Sequence, residues 1–128
     1  MNSNFDPSVE AKNTIIDLIT NLRDDIFKSQ EERGDLTAVE FFFRNCHHER
    51  AMMHIINKVL PFKDQITSRN TDFFLKNKYI FSGLPDDRID YYSKIIVSGK
   101  RISDEYRETI WEYFDSLIAL AEVYQKNK

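Results

Sequence analysis

Apolar residues recur along most of this chain at intervals of three and four, the period of a helix rather than the alternation of a strand. Ile15, Ile19, Leu22 and Ile26 fall on one face, while Asp17, Asn21, Asp24 and Lys28 lie mostly on others. The pattern predicts a first helix that opens at Asp6-Pro7, after a loose tail of six residues. Asp6 is its cap, and Pro7 takes the first helical position, where a missing N–H costs nothing. The polar run Ser29 to Arg33 and then Gly34 predict the end of this unit.

A second start is predicted at Thr37-Ala38-Val39-Glu40, which has the spacing of a capping box. Phe41, Phe42 and Phe43 follow, and in a helix they point about 100° apart, so the segment is expected to be buried on more than one side. The apolar run continues through Met52, Met53, Ile55, Ile56, Val59 and Leu60 to a break at Pro61. Residues 62–68 suit a short helix. Phe73, Phe74, Tyr79, Ile80 and Phe81 suit a helix or a strand, bracketed by the turn signals Asn70-Thr71-Asp72 and Gly83-Leu84-Pro85. Helix is favoured, because no partner strand is evident and an isolated hairpin is marginal.

After Pro85 a helix over 86–97 presents Ile89, Tyr92 and Ile96, and Gly99 stops it. The last helix is predicted from the Ser103 cap to about Gln125, with Asp104 and Glu105 in its first turn and Lys126 and Lys128 at its end, as the macrodipole favours. Tyr106, Ile110, Trp111, Tyr113, Phe114, Leu117, Ile118, Leu120, Ala121 and Tyr124 fill an arc of roughly 180° on its wheel. A surface helix needs an apolar stripe of little more than about 100°. Either this helix is central and touches several others, or part of its aromatic face stays open for a partner. The fold expected is all-α, a single compact bundle of five or six helices over residues 1–128, with long first and last helices packed together.

Composition narrows the function. The 128 residues are 41% hydrophobic and 30% charged, a globular balance. Glycine occurs only at Gly34, Gly83 and Gly99, so no glycine-rich phosphate loop can form. The net charge of −3 and pI near 5.6 disfavour general nucleic-acid binding and a basic membrane-surface patch. No apolar stretch is long enough to span a bilayer, and the N-terminus lacks the features of a signal peptide. A single cysteine, Cys46, permits no internal disulfide, and a reducing, cytoplasmic setting is expected. No cofactor is expected.

Three constellations carry candidate chemistry. Asp86-Asp87-Arg88-Ile89-Asp90 matches the aspartate-rich DDxxD pattern of prenyl-diphosphate and terpene synthases, whose carboxylates hold Mg²⁺ against a diphosphate. No second acid-rich motif accompanies Asp86, Asp87 and Asp90, and acids in a first helical turn also serve the dipole. Cys46, His47, His48, Glu49 and His54 are potential zinc ligands, with His47 and His54 two turns apart. The pattern is not His-Glu-x-x-His, because Met52 stands where the second His belongs. On one helix Cys46 and Arg50 would share a face, which would lower the thiol pKa. The third constellation is Arg69, Lys76 and Lys78 beside Phe73, Phe74 and Tyr79, a basic-aromatic mixture that single-stranded nucleic acid can stack on.

A resemblance adds a setting. Leu60-Pro61-Phe62 through Ile66, then Asp72-Phe73-Phe74, Leu84-Pro85, and Ile110-Trp111-Glu112-Tyr113-Phe114 in a long last helix resemble a group of short helical proteins encoded by large DNA viruses of protists. The resemblance covers His48 to Tyr124, about 60% of the chain. The abundance of Ile, Lys and Asn, residues that AT-rich genomes encode often, agrees with it. It implies a virus-encoded accessory, virion or host-interaction protein, and it brings no catalytic residue.

The function expected is therefore non-catalytic: a structural or interaction module that binds another protein, or a second copy, through an aromatic helical face. Trp111, Tyr113, Phe114 and Tyr124 are its candidate residues, since aromatic side chains desolvate well in interface cores. A metal-dependent site is the alternative, and weak nucleic-acid association the third.

Overall fold

Asp6 opens the first helix, its carboxylate accepting the Ser8 N–H at 3.0 Å, and Pro7 follows at the first helical position. In this computed structural model, which describes residues 5–76, 81–98 and 100–127, the chain is an all-α bundle. The helices are α1 (Pro7–Asp25), α2 (Gln30–Asn45), α3 (His48–Lys58), α4 (Lys63–Thr67), α5 (Asp72–Lys76), α6 (Asp86–Ser98) and α7 (Asp104–Lys126), with a 3-10 turn at Leu60–Phe62. Five of them are the long helices of the bundle; α4 and α5 are five-residue segments within the middle of the chain.

The first and last helices are the longest, at 19 and 23 residues, and make the most extensive contact of the fold. They run antiparallel: Tyr106 near the start of α7 donates to Asp25 at the end of α1, and Asn21 donates to Tyr113 further along. Ile15, Ile19 and Leu22 of α1 are buried as their spacing predicts, and with Ile110, Phe114, Leu117 and Ala121 of α7 they form the centre of the core.

Two boundaries differ from the sequence expectation. Gly34 does not end the first helix; it lies inside α2. The capping box is formed by Ser29, whose hydroxyl accepts the Glu32 N–H while the Glu32 carboxylate accepts the Ser29 N–H. Thr37 and Glu40, which share that spacing, sit mid-helix and receive Arg23 from α1. A cap and the buried partners of Glu32 outweigh the cost of about 1 kcal/mol for an interior glycine. The second difference is a break at Cys46 and His47. His47 caps α3, its Nδ1 accepting the Glu49 N–H at 3.2 Å, so the long apolar run is divided between two helices.

The Phe41-Phe42-Phe43 segment is buried on one side only. Phe43 is fully buried, whereas Phe41 is 69% and Phe42 42% exposed. The middle segment is helical where it is described, with α4 and α5 on either side of Asn70 and Thr71. Phe81 is buried and stacks on Tyr92; Tyr79 and Ile80 lie outside the described residues, as does Gly99.

Candidate functional site

The wide apolar arc of α7 is filled from within the chain. α7 touches α1, α3 and α4, and Phe73 and Phe74 of α5 close against it. Phe73 meets Phe114 edge-on at 5.1 Å, and Phe74 lies 4.5 Å from the Trp111 ring. Trp111 is 3% and Phe114 1% exposed. These two belong to the core and offer nothing to a partner, which corrects the expectation placed on them. Tyr113 and Tyr124 are half-buried against the same core, Tyr113 accepting from Asn21.

Of the three nucleic-acid candidates, Arg69 is the one whose side chain lies among the described residues. Arg69 is committed internally. It stands in the left-handed region (φ 59°) just after α4, in a Schellman arrangement: the Asn70 N–H bonds to the Gln65 carbonyl at 2.8 Å and the Arg69 N–H to that of Ile66 at 3.1 Å. Its guanidinium then spans Glu108 at 2.6 Å and Asp115 at 2.9 Å and covers the Trp111 ring. Asp115 first and Glu108 second hold its charge more firmly than usual. Lys76 ends α5, and Lys78 lies outside the described residues.

The metal candidates are also separated. Asp86 and Asp87 occupy the exposed first turn of α6, and Asp90 follows on its surface. Cys46 is half-buried between α2 and α3, so it shares no helix face with Arg50. His47 and His48 stack at 4.4 Å but serve different ends. The Asp6 carboxylate, which only accepts, takes the Ser8 hydroxyl at 2.7 Å; the His48 Nδ1–H must then donate to that hydroxyl oxygen, also at 2.7 Å. The Ser8 proton is thus spent on Asp6, and the trio ties the start of α3 to the start of α1. His54 lies exposed on α3. Among the described residues no three His, Cys, Asp or Glu side chains converge as a metal site. Among them, too, no helix is long and apolar enough to cross a membrane.

The open apolar surface is on α2, where the Phe run was expected to be buried. Leu36, Val39 and Phe43 face α1 and the core. On the opposite side Gly34, Ala38, Phe41, Phe42 and Asn45 point outward within about 100° of arc. That is the width of the stripe a surface helix normally buries. Among the described residues α2 is therefore apolar on two faces and packed along one, with the Gly83 turn reaching the Phe42 edge of the other. A Cβ placed on Gly34 would meet nothing within 4 Å. Phe41, Phe42, Asn45, Cys46, Arg50 and Gly83 line a groove of about 610 Å³ at the C-terminal end of this face. The other exposed apolar side chains, such as Met53, Leu75 and Val123, are dispersed over separate helices, which is ordinary for a protein surface.

Polar ties hold α2 in place so that this face stays outward. Tyr92 donates to Asp35 at 2.6 Å, and Arg88 bonds the same carboxylate at 2.9 Å. Burial first and Asp35 second raise the Tyr92 hydroxyl well above its ordinary pKa. A comparison with protein-family models, curated proteins and solved structures finds no match.

Proposed function

We propose that this chain is a non-catalytic protein-interaction module that docks a helix of another polypeptide on the outer face of α2. The observation that carries the proposal is the exposure of both Phe41 and Phe42, at the two edges of one outward arc, on a helix whose core face is already filled by Leu36, Val39 and Phe43. Contiguous exposed apolar surface of this kind marks interaction sites, whereas scattered residues do not. Aromatic anchors flanking small residues suit a helix-in-groove mode of recognition. The resemblance of residues 48–124 supplies the setting: a virus-encoded accessory or virion-associated protein acting in the host cytoplasm.

The test is a photo-reactive phenylalanine analogue placed at position 41, with the same analogue at exposed Val123 on α7 as a control. In lysate of the producing cells, position 41 is expected to crosslink to another polypeptide, a further copy or a different chain, and position 123 is not. The crosslink is also expected to disappear on Phe42→Ser. No adduct from position 41, or equal adducts from both positions, overturns the proposal.

A further inference from the structure

We infer that the occupant of the outer α2 face is a second copy of this chain, packed α2 against α2 in antiparallel fashion about a two-fold axis near Ala38. This rests on the proposal that the face is an interaction surface, and it names the partner.

The first argument is shape. A two-fold interface uses the same patch twice, so the patch must complement itself. In antiparallel register about Ala38, a residue a given number of positions before Ala38 faces the residue the same number after it in the other copy. Phe42 of each copy then lies over Gly34 of the other, where the space beside the backbone is open. Large meets absent twice, once for each Phe42, while each Phe41 falls at the level of Asp35, whose carboxylate is turned to Tyr92 and Arg88. The 16 residues of α2 give a contact about 24 Å long at 1.5 Å per residue.

The second argument is charge. The N-terminal end of the face carries Glu31, whose side chain is 74% exposed, its carboxylate 3.6 Å from Arg88 of α6. The C-terminal end carries Arg50 on the rim of the groove, whereas Arg44 lies outside this arc with its guanidinium on Glu40 at 2.7 Å. Antiparallel packing lays the acidic end of each copy toward the basic end of the other and opposes the helix macrodipoles favourably. Parallel packing would set acid on acid and base on base. A different partner would need a complementary charge gradient of its own; a second copy has it by construction.

The experiment is the solution mass of the full chain by light scattering on a sizing column. It is loaded at up to about 0.3 mM, above the micromolar dissociation constants expected of a small interface. The mass is expected to approach twice 15.2 kDa at the top of the series. Phe41→Glu is expected to return it to the monomer while the circular-dichroism melt is retained. Glu31→Arg and Arg50→Glu are each expected to weaken association about threefold to tenfold, because symmetry repeats each contact. The two together are expected to restore the wild-type constant within about twofold. A monomer of 15.2 kDa throughout, a dimer indifferent to Phe41→Glu, or a double variant weaker than either single overturns the inference. If the chain is monomeric yet crosslinks from position 41 to a different polypeptide, the second copy is wrong and the interaction surface stands. If neither occurs, both fall.

Discussion

Glu32 and Arg101 join the start of α2 to the turn that precedes α7: the carboxylate is 4% exposed and accepts two guanidinium bonds, at 2.6 and 2.8 Å. Tyr91 of α6 also donates to it, and Arg101 continues to the Ile26 carbonyl at the end of α1. One buried carboxylate therefore pins four parts of the chain together at the start of α2.

That pin makes stability acid-sensitive. Arg101 first, with help from Tyr91 and against the cost of burial, lowers the Glu32 pKa from 4.5 to about 2. A depressed folded-state pKa contributes stability that is complete above the unfolded value and fades as pH falls through the folded one. Thermal melts are expected to lose midpoint between pH 4.5 and about 2. Glu32→Gln is expected to cost about 1–3 kcal/mol at neutral pH and to flatten that part of the acid slope. A variant with an unchanged slope would show that other carboxylates carry it.

Arg69 separates backbone strain from side-chain pairing. A non-glycine residue in the left-handed region costs about 1–2 kcal/mol, and the bonds to Glu108 and Asp115 offset it. Arg69→Ala keeps the strain and loses the pairing; Arg69→Gly loses both. Chemical denaturation is expected to rank wild type first, Arg69→Gly second and Arg69→Ala third, the last two about 1 kcal/mol apart. Alanine equal to or better than glycine would deny the Schellman role.

Gly34 offers a gain. It lies inside α2, and an added Cβ meets nothing within 4 Å. Gly34→Ala is expected to raise the stability of the monomer by about 0.5–1 kcal/mol in dilute solution, measured by urea unfolding. A loss would mean that α2 does not continue through this residue.

What the sequence revealed was local. The caps at Asp6 and Ser103 and the periodicity of Ile15, Ile19 and Leu22 each depend on residues a turn apart, and each holds in the structure. The choice between Ser29–Glu32 and Thr37–Glu40 was not legible, because both have capping-box spacing. The selection comes from Arg101, 69 positions beyond Glu32, and from Arg23, which engages Thr37 and Glu40 instead. The arc on α7 hid its answer for the same reason: Phe73 and Phe74 cover Trp111 and Phe114 from a five-residue helix whose own pattern is too short to place it. The exposed pair Phe41 and Phe42 did leave a signal. Three phenylalanines in a row cannot share one face, and Gly34 and Ala38 stand in helical register with two of them.

The most direct measurement compares Phe41→Ser with Phe114→Ala by urea unfolding in dilute solution. Phe114→Ala is expected to lose about 3–5 kcal/mol as a core truncation. Phe41→Ser is expected to stay within about 0.5 kcal/mol of wild type, as a side chain that folding does not use. A loss at Phe41 comparable to that at Phe114 would contradict the outer face of α2 as a surface kept free for another polypeptide.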